Sequence, residues 1–223
     1  MISTVFQILW DYRVGFLAGL GVSPQLASII WGVGIVVGSI LGFLGWRIPG
    51  SIGKPSQIFS FVLSGIPILV FLFWLHYPVQ AMFNVVIDPF YTAAFTFTIV
   101  NIFGVADIVR IACQEFPEQY VTAARVCGMN MRQIALKIQL PIIFRQILPS
   151  LLMLQVTMLH VTLFSSLISV EEIFRVAQRI NAQIYKPVEI YTALGVFFLA
   201  VCLPLNGLAL WLKDRFTRNL SER

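Results

Sequence analysis

The chain has 223 residues, of which 58% are hydrophobic and 11% charged, and its formal net charge is +5. This charge content is about half that of a typical soluble domain. A soluble fold of this length leaves much of its surface in water, so the composition excludes a soluble globular protein and predicts an all-α integral membrane protein. The basic residues fall between long apolar runs, which excludes a concentrated nucleic-acid-binding surface.

The N-terminal segment has no basic residues before its apolar stretch, so no cleaved signal peptide is expected. The stretch from Val5 to Leu20 is apolar but is interrupted by Asp11 and Arg13. We therefore interpret residues 1–19 as an interfacial, periplasmic segment that does not cross the membrane.

Five later windows lack charged residues and have about the length that a spanning helix needs. They predict about five transmembrane helices: Val14 to Trp46 (clearest from Leu26), Pro55 to Ile87, Pro89 to Ala106, Gln146 to Val170, and Ile190 to Leu212.

Basic residues between these spans predict the orientation of the chain. Eleven lie in the loops and the tail on one side of the membrane, and four lie on the other side. The excess of positive charge on the cytoplasmic side places the N-terminus outside and the C-terminus, including the tail 217–223, inside.

The first span carries Gly34, Gly38 and Gly42 at four-residue spacing, on one helix face. Such a stripe lets a neighbouring backbone approach closely. The neighbour is either another helix of this chain or a second subunit.

One cytoplasmic loop, about 113–141, is too polar for the bilayer and too long for a turn. Pro117 and Glu118 are typical of a helix start, and Gly128 is typical of the position after a helix. Asn130 with Gln133 predicts the start of a second helix, which we expect to end at Pro141. Two short helices joined by a glycine elbow indicate a docking surface.

The sequence from Thr122 to Gly128, followed by Pro141, resembles the EAA loop of binding-protein-dependent ABC importers. In that family the loop forms a coupling helix that enters a cleft in a separate ATPase subunit. The resemblance covers residues 20–216, the expected transmembrane domain, and is closest to permeases of the polar amino acid uptake family. Three further segments are similar to that family's motifs: Gly65 to Val70, Ala106 to Arg110, and Ser169 to Ile173.

The resemblance implies a channel-forming subunit of a bacterial inner-membrane importer, in the type I permease architecture. Its implied partners are an ABC ATPase that holds ATP and Mg²⁺, a second permease subunit, a solute-binding protein and the lipid bilayer. The implied cargo is a polar amino acid or a related solute, and the chain itself holds no cofactor. The residues that carry over as ATPase contacts are Thr122, Ala123, Ala124, Arg125, Cys127, Gly128, Met129 and Pro141.

This chain departs from the family pattern at several charged positions. Thr122 replaces the first glutamate of the EAA motif, and Ser64 replaces an arginine of the second span. His160 and Val161 replace a lysine–aspartate pair in the fourth span. These changes favour an atypical cargo.

Five polar residues in or near the third and fourth spans are candidates for the substrate pathway, because polar groups facing lipid are unfavourable. They are Asn101, His160, Thr162, Ser165 and Ser166. The hydroxyls also have a structural alternative, a bond to a carbonyl one turn back in the same helix, and His160 has packing as its alternative. Asp107 and Arg110, three residues apart, are expected to pair with each other.

Other classes of protein fit less well. The segment Gly53 to Ser56 lacks the upstream glycine of a phosphate-binding loop, so the chain is not expected to hydrolyse ATP. Only two histidines occur, and neither has a carboxylate within a helical turn, so neither an enzyme nor a metal site is expected. Three cysteines without paired spacing predict no disulfide framework. The remaining alternative is a secondary transporter or channel, which usually has a deep acidic residue or inverted repeats.

Overall fold

A computed structural model describes residue 8 and residues 10–221. The first helix, α1 (Arg13–Arg47), has 35 residues and is about 52 Å long at 1.5 Å per residue. It exceeds the hydrocarbon core of about 30 Å. Residues 13–20 are therefore continuous with the helix of the first span, and their placement at the membrane interface stays a prediction. Residues 1–7 and 9 of the predicted interfacial segment lie outside the described residues.

The remaining helices follow in chain order, and the described part of the chain contains no strand. They are α2 (Lys54–Gly65), α3 (Ile68–Trp74), α4 (Pro89–Gln114), α5 (Glu118–Val126), α6 (Leu140–Val161), α7 (Ile173–Ile184) and α8 (Pro187–Ser221). Wide π-helical turns at Pro49–Gly53, Leu75–Val79 and Ala135–Gln139, the short helices Gln80–Met82 and Met131–Ile134, and a 3-10 turn at Thr162–Ile168 connect or extend them.

The second span is sharply bent and not straight. Helices α2 and α3, with their flanking turns, meet at an angle of 97°. Ile66 between them is extended, with φ −100° and ψ 123°, the conformation favoured before a proline because an α conformation would clash with the ring of Pro67. The motif Gly65-Ile66-Pro67 is therefore the physical cause of the bend.

Helices α1 and α4 pack in parallel along the three-glycine stripe, a contact surface that we call the α1–α4 seam. A Cβ added to Gly38 would lie 2.6 Å from the carbonyl oxygen of Ile102, and one added to Gly42 would lie 2.5 Å from that of Ala106. A Cβ at Gly34 would overlap the side chain of Asn101. The close neighbour of the stripe is thus a helix of the same chain.

Helix α6 packs antiparallel against α4 and completes a three-helix core. Its Leu151 packs with Val105. One turn further, Gln155 exchanges amide hydrogen bonds of 2.9 and 3.2 Å with Asn101. Asn101 also donates to the carbonyl oxygen of Ile30 in α1, at 2.9 Å. Buried amides inside a membrane protein must find such partners, and here they tie three helices together.

These directions settle the number of crossings. Since α1 and α4 run the same way, the chain must return across the membrane between Arg47 and Asp88. The bent pair α2–α3 therefore acts as one span, as the length and composition of the two helices allow. With α1, α4, α6 and α8 the described chain has five crossings, as predicted.

The prediction that a helix ends at Pro141 is wrong. The helical path runs unbroken from Met131 to Ile168, and Pro141 lies in the first turn of α6. Proline lacks an N–H donor, and the wide turn Ala135–Gln139 directly before it accommodates the missing bond. The helix after the glycine elbow is therefore the start of the fourth span.

At the other end of the bundle, α7 attaches to the first half of α1. Ser169 before it has φ +72°, a left-handed conformation that glycine adopts most readily. The Ile173 N–H donates to the Ser23 hydroxyl at 3.3 Å. A Cβ at Gly19 would lie 3.0 Å from the Ile173 Cα, so these two backbones are in close contact.

Candidate docking and pathway sites

Helix α5 lies outside the bundle core and ends in a left-handed glycine. Gly128 has φ +78°, as its sequence position predicts. Its N–H donates to the Arg125 carbonyl at 2.9 Å, and the Met129 N–H donates to that of Ala124 at 3.1 Å. This pair of bonds closes the helix and turns the chain sharply.

The elbow is fixed on its other side by the predicted capping pair. Asn130 accepts from the Gln133 N–H, and Gln133 accepts from the Asn130 N–H, both at 2.9 Å. The segment from Gly128 to Gln133, which we call the corner, is therefore rigid, and the fourth span begins there. Helix α5 thus lies between α4, which ends at Gln114, and the fourth span, which starts after this corner.

Most residues assigned to ATPase contact are accessible. Thr122, Ala123, Arg125, Cys127, Gly128 and Pro141 are exposed, and Met129 is half-buried. Ala124 is only 5% exposed and is directed into the chain, so it positions α5 and offers little docking surface.

The sequence analysis missed the most exposed apolar residue of this region. Val126 in α5 is 85% exposed. Its side chain is therefore accessible to a partner next to the exposed Arg125 and Cys127. The sequence signal that could have identified Val126 is its position as an apolar residue directly after Arg125.

The five candidate pathway residues fall into two groups. Asn101, Thr162, Ser165 and Ser166 are at most 1% exposed. The three hydroxyls donate to carbonyl oxygens three residues back, at 2.6 to 2.7 Å, and Asn101 is held by Gln155, a partner that sequence reasoning missed. His160 is exposed on α6, and its ring centroid lies 6.4 Å from that of Phe198.

The predicted pair of Asp107 and Arg110 is present, with an N–O distance of 2.6 Å. The Ser60 hydroxyl also donates to Asp107. This carboxylate therefore ties α2 to the C-terminal half of α4, and it is paired with its arginine.

Glu172 is a buried acid at the start of α7 that the sequence did not mark as unusual. One carboxylate oxygen accepts from the Arg175 N–H at 2.9 Å, whereas the other is buried without a partner. Burial raises the pKa of Glu172 from its ordinary 4.5 to about 7, although hydrogen bonds from the Phe174 and Arg175 backbone act in the opposite direction.

Among residue 8 and residues 10–221, no group of three or more His, Cys, Asp or Glu side chains is placed to hold a metal ion. The cysteines are also separate from one another. Cys127 is exposed on the elbow, and Cys113 and Cys202 are buried as free thiols.

Comparison with known proteins gives one family and several relatives. The family model of binding-protein-dependent transport system inner membrane components matches residues 34–218. The chain is 26% identical to the octopine transport system permease protein OccM of Rhizobium meliloti, over 94% of this chain and 91% of that protein. It is 28% identical to the glutamine transport system permease protein GlnP of Escherichia coli, over 78% and 80%.

The fold also matches a solved structure. A crystal structure of an amino acid ABC transporter with histidines superposes with a TM-score of 0.82 at 22% identity. The match covers 93% of this chain and 96% of that one, so the two chains share their fold over almost their whole length.

Proposed function

This chain belongs to the binding-protein-dependent transport system inner membrane components, and from this premise we propose that it conducts a polar amino acid or a close derivative. Octopine and glutamine transport are named for two relatives that match most of this chain. The chain is the transport subunit of an importer, and family membership removes the basis for the alternative of a secondary transporter.

The ATPase, with ATP and Mg²⁺, docks on α5. The observation that carries this assignment is the rigid exposed corner, where α5 ends at Gly128 and presents Val126 to the exterior. Ala123 allows close approach to the same region, and Arg125 and Cys127 border it. Closure of two ATPase subunits then moves α4 and α6 together and rocks the spans between two states.

The corner lies on the cytoplasmic side. It shares that side with the eleven basic residues counted from the sequence, so the N-terminus faces outward. A solute-binding protein delivers the cargo at the outer ends of the helices. A second permease subunit, identical or homologous, completes the pathway between the two copies.

His160 is the candidate pathway residue whose side chain is free to face that space. Asn101, Thr162, Ser165 and Ser166 shape the wall beneath it, because their polar groups are already bonded within the helices. Replacing His160 with alanine changes the concentration dependence of uptake while membrane expression stays normal. If expression falls and the kinetics do not change, His160 is a packing residue.

Docking is tested by two substitutions at Gly128. Gly128→Trp adds bulk in open space, since no atom lies within 4 Å of a Cβ there, and Gly128→Ala supplies the same backbone strain without the bulk. We expect Gly128→Ala to retain the ATPase on purification and Gly128→Trp to lose both the ATPase and transport. Normal assembly and transport by Gly128→Trp rules out the docking assignment.

The cargo is tested separately with the reconstituted importer. Glutamine, octopine and other polar amino acids are offered as competitors of radiolabelled uptake. Competition by at least one of them supports the proposal, whereas ATP-driven uptake that none of them inhibits rejects the amino-acid assignment and leaves the importer assignment intact.

A further inference from the structure

A cavity of about 660 Å³ lies between α5 and the inner ends of α1 and α4. Its charged lining consists of Arg47, Arg125 and Arg132, with Glu118 as the only acid among the lining residues. Three guanidinium groups against one carboxylate leave a surplus of two positive charges. The occupant that such a cavity favours is an anion.

The position of the cavity relative to the membrane boundary indicates which class of anion it binds. The charge-free stretch of α1 ends at Trp46, and Arg47 is the first charge after it. The Arg47 guanidinium lies 5.9 Å from the centre of the Trp46 ring. A tryptophan followed by an arginine at a helix end is typical of the boundary between hydrocarbon and lipid headgroups.

The cavity also has aromatic walls. Phe43 and Trp46 from α1 and Phe116 after α4 supply aromatic surface beside the arginines. Aromatic walls do not favour the binding of a small inorganic anion. A phospholipid, in contrast, presents a phosphate together with glycerol and acyl carbons. The cavity offers both kinds of surface at the depth where a phospholipid has both.

The cavity also uses a different side of α5 from the exposed valine. Glu118, Val121, Thr122 and Arg125 line it, at the three- and four-residue spacing of one helix face. Val126 lies about 100° further around the helix. Thr122 and Arg125, which are assigned to ATPase contact, are shared with this face, whereas Arg47, Arg132 and the aromatic walls belong to other segments. An ATPase bound over Val126 therefore leaves those segments to another ligand.

We propose that this cavity binds the headgroup of an anionic phospholipid and thereby holds α5 against the membrane ends of α1 and α4. This inference rests on the membrane placement of the chain and not on the ATPase assignment. If the permease retains the ATPase but does not bind the lipid, only the lipid site is rejected. If it binds the lipid but does not retain the ATPase, only the docking assignment is rejected.

The test uses the purified permease in nanodiscs of phosphatidylcholine that contain brominated phosphatidylglycerol or brominated phosphatidylcholine. The Trp46 signal is the difference in fluorescence between the wild-type protein and a Trp46→Phe variant. Quenching of this signal by the brominated lipid reports lipid in the cavity. We expect half-maximal quenching at a mole fraction at least about fivefold lower for phosphatidylglycerol, since each basic group near the surface contributes about a fivefold preference.

Arg47→Gln increases about fivefold the mole fraction of phosphatidylglycerol that is required for half-maximal quenching. Arg132→Gln is the second variant, should the first fail to fold. Lys54→Gln is the matched control, because Lys54 is exposed near the same membrane face and does not line the cavity.

Equal quenching by the two lipids contradicts the proposal, as does an equal effect of Arg47→Gln and Lys54→Gln, which indicates general surface charge. Inorganic phosphate is added as a third arm. If it displaces phosphatidylglycerol from Trp46, the cavity is a site for small anions and the lipid assignment is rejected.

Discussion

The α1–α4 seam and helix α5 are packed in opposite ways. In the seam, glycines bring backbone against backbone, and a single added carbon at Gly38 would overlap a carbonyl oxygen. In α5, Val126 is 85% exposed and Gly128 has open space around it. The seam has no room for rearrangement, whereas α5 presents surface that its own chain does not cover.

The contrast shows how one short chain can combine a rigid lever with a docking point. A close-packed helix pair moves as one body, because interiors at native density deform little. Under the proposed docking on α5, motion at the exposed corner would be carried into the membrane without being lost in local rearrangement. Substitutions in the two regions must then have opposite signatures, in stability for the seam and in assembly for α5.

The largest effect on stability is expected from Gly38→Leu. Its side chain enters the seam against the Ile102 carbonyl, and since that neighbour is backbone and cannot move aside, we expect the upper end of the usual cost of overpacking, about 3 kcal/mol. Unfolding in an SDS titration measures it. Gly32→Leu in the same helix is the control, since nothing lies within 4 Å of a Cβ at Gly32. Equal destabilisation by the two variants would remove the distinction that defines the seam.

A smaller effect is expected at Glu172, at the start of α7, beside the contact between Ile173 and α1. The folded-state pKa of about 7 exceeds the ordinary 4.5, so the folded protein retains a proton that the unfolded chain releases. The stabilisation is complete below pH 4.5 and is lost as the pH rises to about 7. The free energy of unfolding should fall by about 2 kcal/mol between pH 5 and pH 7.

Glu172→Gln should abolish that pH dependence, because the amide cannot titrate in this range. Glu171→Gln is the control, since Glu171 is exposed and paired with Arg179 at 2.9 Å. An unchanged pH dependence in Glu172→Gln assigns the effect to another group.

The smallest effect on stability, and the largest on assembly, is expected from Val126→Asp. An exposed position changes the free energy of unfolding by less than about 0.5 kcal/mol. A carboxylate in an apolar contact should nevertheless release the ATPase during purification. Val86→Asp is the control, as Val86 is 99% exposed on the other side of the membrane. Retention of the ATPase by Val126→Asp would place the contact elsewhere on α5.

The sequence predicted the features that are encoded locally. The positive φ of Gly128, the Asn130–Gln133 capping pair and the Asp107–Arg110 ion pair each depend on residues within a few positions, and all three are confirmed. The glycine stripe predicted a close neighbour but left its identity open, because the choice between α4 and a second subunit is made by tertiary packing.

The misses have the same physical origin. Charge-free windows cannot show a bend, so the effect of Pro67 on Ile66 was hidden inside one predicted span. Pro141 was expected to stop a helix, but a wider turn before it accommodated the missing donor. Glu172 lies next to the exposed Glu171 in the sequence, and no local pattern indicates that tertiary packing buries its side chain.

Labelling of Cys127 tests the central claim most directly, because this native thiol is exposed on the α5 corner while Cys113 and Cys202 are buried. A membrane-impermeant maleimide is applied to intact cells, to inverted vesicles, and to inverted vesicles stripped of the ATPase. The account predicts modification of Cys127 only in the stripped inverted vesicles. Modification of Cys127 from outside intact cells would contradict it.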